Sequence, residues 1–276
     1  MMKKPLFAKL RRELFKGLSL ASLDSASNIF NGYSFRVPLI NGVGASNLII
    51  NDQWMCHFVS EASREKRGKF LDIGANVGLF LIMTQSQRAQ NPYIGIDPNP
   101  LCIHYINELM RINNINNASA YCLALGDRTT NVRFYASRKG DKMGSIFNDM
   151  RINQNHRKIF SYDVLMMNAL DFLQKTDNEE VAAIKIDVEG AEYYVLKELL
   201  PLLEERKPWV FCEISPRLIG EDSTCKRSQQ HVSEMLRKVD YVAISETGVS
   251  LQEELEEPVN FVFLPNSEKE LFRVLS

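Results

Sequence analysis

Apolar residues follow two rhythms along this chain. Between residues 70 and 265, short apolar runs recur at FLDI (70–73), YIGID (93–97), AYCLAL (120–125), AAIKID (182–187), WVFCEI (209–214), YVAIS (241–245) and NFVFLP (260–265). Runs this short, rich in β-branched and aromatic residues and bounded by turn residues, read as buried strands. Between most of them lie stretches with apolar residues at helical spacing, as at 100–111, 191–203 and 228–238. Strand alternating with helix predicts an α/β fold: a doubly wound, mainly parallel sheet with helices on both faces. Ahead of residue 65 the patterns are helical and irregular, with turn signals at Asn31-Gly32 and Asn41-Gly42. They predict a helical extension over residues 1–65, followed by the main domain at 66–276.

The first 18 residues have their own pattern. Lys3, Lys4, Lys9, Arg11, Arg12 and Lys16 alternate with Leu6, Phe7, Leu10, Leu14, Phe15 and Leu18 at helical spacing. Such a basic amphipathic helix either packs its apolar stripe on the domain or lies on an anionic membrane, and the first is the commoner use. Composition excludes more than it suggests. At 276 residues with a net charge of −1, the chain has no charge excess to draw nucleic acid, and its aromatic residues form no stacking platform. Cys56, Cys102, Cys122, Cys212 and Cys225 are odd in number and widely spaced, which argues against a disulfide framework and fits a reducing cytosol. No apolar run approaches a membrane span, and no secretory h-region is seen.

In a doubly wound sheet, ligands bind beyond the carboxyl ends of the strands. Acidic residues stand at those ends here: Asp72, Asp97, Asp127, Asp187 and Glu213. The turn after the first run, D-I-G-A-N-V-G (72–78), has no Lys after its last glycine and so is no P-loop. Asn76 fills the middle position of G-x-G-x-x-G, which weakens a pyrophosphate-binding, nicotinamide reading. Asp97, about 20 residues past the turn, is placed to accept from ribose hydroxyls, and Asp127 to meet an adenine edge. The densest motif, IKIDVEGAEYYVLK (184–197), crowds Asp187, Glu189 and Glu192 beside Lys185. Glu192 reads as a residue favouring the first turn of its helix, whereas Asp187 reads as functional. Glu213 ends the next strand and should lie near Asp187. The four histidines show no metal-ligand spacing. His156 lies in a polar, glycine-containing stretch at 137–160, which reads as loops or a lid, and is kept as a candidate base.

Taken together, FLDIGANVGLF, YIGIDPNP, ALGD and IKIDVEGAE, in this order and spacing, resemble the FkbM-type branch of the class I S-adenosylmethionine-dependent methyltransferases. The similarity runs from about residue 68 to 265. It implies a seven-stranded sheet and S-adenosylmethionine as cofactor, with Gly74, Asn76 and Gly78 wrapping its methionine and ribose end, Asp97 holding the ribose and Asp127 the adenine amine. It also implies O-methylation of a sugar, as in surface polysaccharide, or of a secondary metabolite. Where base-methylating relatives carry Asn or Asp followed by Pro-Pro, this chain reads DVEG. A positive sulfonium also suits the acidic company of Asp72 and Asp187, which would repel a phosphate. The expected base is Asp187 or Glu213, with His156 closing from the lid. A variant of this reading has Asp187 and Glu213 hold a divalent cation. The rival readings are a nicotinamide-dependent oxidoreductase and a cofactor-binding protein without catalysis. The basic stretch at 137–160 would suit an acidic acceptor.

Overall fold

The computed structural model describes residues 24–40, 43–48, 50, 52–87, 90–136, 144–147, 160–176, 180–216, 218–219 and 226–272. His156, Cys225 and the basic stretch expected to form an N-terminal helix lie outside them. Seven strands form the central sheet: β3 (Lys69–Ile73), β4 (Tyr93–Ile96), β5 (Ala118–Tyr121), β9 (Val181–Ile186), β10 (Trp209–Ile214), β13 (Tyr241–Ser245) and β14 (Val259–Pro265), in the order β13-β14-β10-β9-β3-β4-β5. The pairings from β5 through β10 are parallel, and β14 alone runs against its neighbours. All seven apolar runs contribute a strand.

Because successive strand residues face opposite ways, the central strands feed two cores. Phe70, Ala183, Trp209 and Phe211 point to one face. There they meet α1 (Gln53–Glu65), α2 (Leu79–Gln85) and α3 (Pro100–Ile112) through Trp54, Phe58, Phe80 and Tyr105. Leu71, Ile184, Ile186, Val210 and Cys212 point to the other. They pack on α4 (Ala169–Lys175), α5 (Glu192–Arg206) and α6 (Ser228–Lys238) through Phe172, Val195, Leu199 and Val232. Two rings on the first face, Phe58 and Phe211, sit 5.5 Å apart.

Three expectations need correction. First, residues 25–38 are not helical but form a hairpin, β1 (Ser25–Phe30) and β2 (Tyr33–Pro38). Asn31 and Gly32 both have positive φ, 48° and 78°, as a tight two-residue hairpin turn requires. The hairpin docks on α3, where Asn113 accepts from Arg36 N at 2.6 Å and donates to Arg36 O at 2.8 Å. Second, a boundary at 65/66 would cut through one core, since Phe35, Val37 and five buried α1 residues share it with the sheet. Third, the run at 120–125 is not one strand. After β5 the chain turns out of the sheet and continues as β6 (Ala124–Gly126), which joins β7 (Thr130–Ala136) and β8 (Phe160–Asn168) in a separate three-stranded sheet. The stretch at 137–160 is therefore an insertion between β7 and β8. Residues 144–147 are its described part, tied to β7 by backbone hydrogen bonds between Ser145 and Tyr135.

Candidate active site

At the carboxyl edge of the sheet the chain leaves β3 through Gly74, whose φ is +83°. A Cβ there would lie 1.8 Å from the carbonyl oxygen of Asp187, so only glycine lets the ends of β3 and β9 come this close. Asn76 adopts φ +50° and Gly78 +71°, and α2 starts directly after. Asp97, after β4, is buried and binds this turn. One of its oxygens accepts from Asn76 N and the other from Asn99 N, both at 2.8 Å. A carboxylate oxygen has two lone pairs, so each keeps capacity for a ribose hydroxyl. Burial raises the Asp97 pKa to about 6 against the lowering effect of those two bonds.

Beneath the turn lies a polar cluster set by strand register. Asp72 on β3 stands opposite Gly95 on β4 and Lys185 on β9. Gly95 leaves room for the Tyr93 ring to lean across, and Tyr93 donates to Asp72 at 2.6 Å. The Lys185 ammonium contacts Asp72 at 3.1 Å, donates to the Gly74 carbonyl at 2.8 Å and stands 3.5 Å from Asp187. Burial works to neutralise Lys185, but Asp72 and Asp187 outweigh it and hold it charged.

A cavity opens above the turn. Ile73, Gly74, Asn76, Asp97 and Asp187 line it, Leu123, Leu125, Phe134 and Cys102 add apolar wall, and Gly144, Ser145 and Ile146 cover it. The cover is fastened where Ser145 Oγ donates to the Glu189 carbonyl at 2.8 Å and accepts from Phe147 N at 3.0 Å. Glu189 and Gly190 take positive φ, 54° and 104°, in the turn leading to α5. Glu192, fully buried at the start of that helix, accepts from Gly190 N at 2.9 Å, and burial raises its pKa to about 7. Glu213 is half-buried on β10. Burial, then Asp187, Glu189 and Glu192, push its pKa up to about 8.

Of the residues singled out from the sequence, Gly74, Asn76, Asp97 and Asp187 line the cavity together. Glu213 lies near enough to feel the Asp187 charge but does not line the wall. Asp72 lies near the end of β3 but does not line the cavity. Fully buried, it anchors Lys185 under the turn. Gly78 starts α2 rather than lining the wall. Asp127 is also outside the lining. The chain has already left for the small sheet, where Asn168 Nδ2 donates to the Asp127 carbonyl at 3.2 Å, and the wall there is formed by Leu123, Leu125 and Phe134. Among the described residues, no three His, Cys, Asp or Glu side chains gather as a metal site. The Asp187–Glu213 pair therefore has no third ligand among them.

Two residues escaped the sequence reading, both before residue 66. Asn47, in the single 3-10 turn Ala45–Leu48, is buried and donates to the Val77 carbonyl of the glycine turn at 2.7 Å. Asp52 caps α1 and feels the charges of Lys185 and Asp187. The only sequence signal for Asp52 was its place just before a helical pattern, an N-cap signature.

Residues 72–243 match the methyltransferase FkbM domain. The chain belongs to the FkbM methyltransferase family. A curated relative, Methyltransferase 1 of Beauveria bassiana (strain ARSEF 2860), is 25% identical over 142 residues, 47% of this chain and 57% of that protein. The chain thus spans a little over half the length of that relative. Among solved structures, it is similar to the FkbM methyltransferase of Methylobacillus flagellatus KT, at 14% identity and TM-score 0.45, covering 71% of this chain and 43% of the other. It is also similar to an O-methyltransferase from Bacillus cereus in complex with SAH, at 12% identity and TM-score 0.45, covering 96% and 93%. At these identities neither likeness fixes a reaction.

The cofactor of this FkbM-family domain is S-adenosylmethionine, and the cavity residues fit it. The Gly74 turn lines the cavity, Asp97 keeps lone pairs for a ribose, the wall by Leu123 and Phe134 is apolar, and Asp187 presents a carboxylate to a cationic group. Among the described residues no helix is long and apolar enough to cross a membrane.

Proposed function

We propose that the protein is an S-adenosylmethionine-dependent O-methyltransferase whose acceptor is a hydroxyl of a sugar, as in surface polysaccharide, or of a secondary metabolite. The observation that carries this is Asp187, which ends β9 inside the cofactor cavity with Lys185 at 3.5 Å and Glu213 close by. A hydroxyl acceptor must lose a proton as its oxygen gains the methyl group, and a carboxylate at the transfer point can take it.

When bound, S-adenosylmethionine supplies the methyl group and leaves as the neutral thioether S-adenosylhomocysteine. Asp97 and the glycine turn hold the nucleoside in one orientation, which an in-line displacement needs more than covalent help. Asp187 accepts the hydroxyl proton. Glu213, with a pKa pushed up to about 8, carries a proton at neutral pH and so is not the first base. The cover at 144–146 shields the reacting atoms from water. The DVEG sequence at the end of β9 favours oxygen over the amino groups of nucleic-acid bases.

The test is transfer of a labelled methyl group from S-adenosylmethionine to a panel of neutral glycans, acidic glycans and small hydroxylated metabolites. Product labelled on oxygen in any of these supports the reading. Transfer only to amines or to nucleic acid would overturn it.

A further inference from the structure

The FkbM match begins at residue 72, yet the active site does not. Helix α1 ends beside Lys66, whose ammonium donates to the Lys207 carbonyl at 3.0 Å and pairs with Glu268 at 2.7 Å. Lys207 lies two residues before β10, and Gly68 packs against the carbonyl of Glu180, which directly precedes β9. The C-terminal end of α1 is therefore at the amino edge of the sheet. A 13-residue helix rises about 20 Å, slightly more than the length of a five-residue strand, so its first turn returns to the carboxyl edge. The helix packs against α2 and the sheet, with Cys56 Sγ 3.9 Å from Met83 Sδ and Phe58 stacked on Phe80 and tilted against Phe211.

Asp52, the cap of that first turn, thus stands at the same edge as Gly74 and Asp187. Its Oδ1 accepts from Met55 N at 2.8 Å, and its other oxygen has no hydrogen bond among the described residues. Its ionisation is shifted first by burial, then by the cap bond, Lys185 and Asp187, so the three charges share one neighbourhood. The orientation of the cofactor follows from the cavity. Asp97 and the apolar wall at 123–125 claim the nucleoside on the β4–β5 side. A nucleoside held there would direct the amino-acid tail the other way along the edge, past the ends of β3 and β9. That tail ends in an α-ammonium as well as a carboxylate. Lys185 is drawn to Asp72 below, Asp187 and Glu189 line the cavity at this end, and Asp52 stands outside that lining but within reach of the Lys185 and Asp187 charges.

We infer that Asp52, supplied by the segment ahead of the family-matched region, holds the α-ammonium of the cofactor's methionine tail in concert with Asp187, making the N-terminal segment part of the cofactor site. This rests on the cofactor reading given above. It assigns Asp52 a binding role that neither the cap nor the packing of α1 requires.

The test needs no acceptor. S-adenosylhomocysteine and 5′-methylthioadenosine share the nucleoside and the thioether, but the second lacks the amino-acid tail. Each is titrated calorimetrically into the wild type, Asp52→Asn and Asp52→Ser. Both variants keep a side chain that caps a helix, and both remove the charge. The expected result is a loss of about tenfold or more in affinity for S-adenosylhomocysteine, as for a hydrogen bond between charged groups, with methylthioadenosine unchanged. Unchanged S-adenosylhomocysteine binding in both variants overturns the inference. Equal weakening of both ligands also overturns it, because a disturbed fold would act on the shared nucleoside. A wild type that binds neither ligand overturns the cofactor reading itself.

Discussion

The two halves of the cavity are built in different ways. On the nucleoside side everything comes from consecutive strand ends: β3 delivers the Gly74 turn, β4 delivers Asp97, and the two are joined by the Asn76 N to Asp97 bond of 2.8 Å. On the transfer side, Asp187 follows β9, the cover comes from an insertion between β7 and β8, and Glu213 of β10 stands close by outside the lining. The first half needs backbone geometry that few residues can supply, so it leaves a signature in sequence. The second needs a carboxylate near a point in space, and many segments can supply that. One half is expected to govern binding and the other turnover, and substitutions can test that division.

The largest effect is expected on the transfer side. Asp187→Asn removes the proton acceptor but keeps the shape and most hydrogen bonds. Turnover should fall by about 10²–10⁴-fold, the usual contribution of a general base, while methylthioadenosine affinity stays level. Methyl-transfer rates under saturating cofactor, beside calorimetric titrations, would check both. Full turnover in Asp187→Asn would mean the proton goes elsewhere, and the division of labour would fail.

The next effect belongs to the nucleoside side. Asp97→Ala should weaken S-adenosylhomocysteine by about tenfold to a hundredfold, since a charged acceptor for ribose is lost and two backbone donors lose their partner. Wild-type affinity should also weaken as pH falls below about 6, where Asp97 takes up a proton and ceases to be a full acceptor. A flat affinity between pH 5 and 7.5 would show that Asp97 does not hold the ligand.

How much of this could be read beforehand follows the same division. The seven strands were legible because a strand buried on both faces tends to be a near-continuous apolar run, as WVFC (209–212) and FVFL (261–264) are. Gly74 and Asp97 were legible because the turn and its spacing are stereotyped. Asp127 is not among the residues lining the cavity: ALGD looks like an end of the central sheet, but the chain leaves that sheet after Tyr121, and register in a second sheet is not written locally. The hairpin at 25–38 was read as helical although Asn31-Gly32 was noticed. Its first strand, SASNIF, is mostly polar or small, although the second alternates as Y-S-F-R-V, and tertiary docking through Asn113 helps to hold them. Asp52 and Asn47 were invisible as site residues because only the path of α1 and the packing of the Ala45–Leu48 turn bring them to the edge.

A smaller effect tests the cluster beneath both halves. Tyr93→Phe deletes the hydroxyl donor to Asp72 and leaves a fully buried carboxylate oxygen short of a partner. The cost should be about 1–3 kcal/mol in unfolding free energy, measured by urea denaturation. Because Lys185 still links Asp72 to the Gly74 carbonyl, cofactor affinity should change less than stability does. A variant that loses cofactor binding without losing stability would place Tyr93 in the site rather than under it.

The smallest effect concerns Glu213 and carries a sign. Its folded pKa, about 8, stands above the ordinary 4.5 through burial and the neighbouring carboxylates. The folded state therefore binds the proton more tightly than the unfolded chain. This contribution to stability is complete below about pH 4.5 and is lost as pH rises toward 8. Glu213→Gln removes that titration. The variant should be more stable than the wild type at pH 8 relative to pH 5, by about 1 kcal/mol for a group that keeps some solvent contact. Thermal unfolding of both proteins at the two pH values measures the difference. Saturating S-adenosylmethionine should shrink it, because a sulfonium beside the carboxylates offsets their mutual repulsion, whereas neutral S-adenosylhomocysteine should shrink it less. Equal action of the two ligands would place the sulfonium away from Glu213 and confine the transfer point to Asp187.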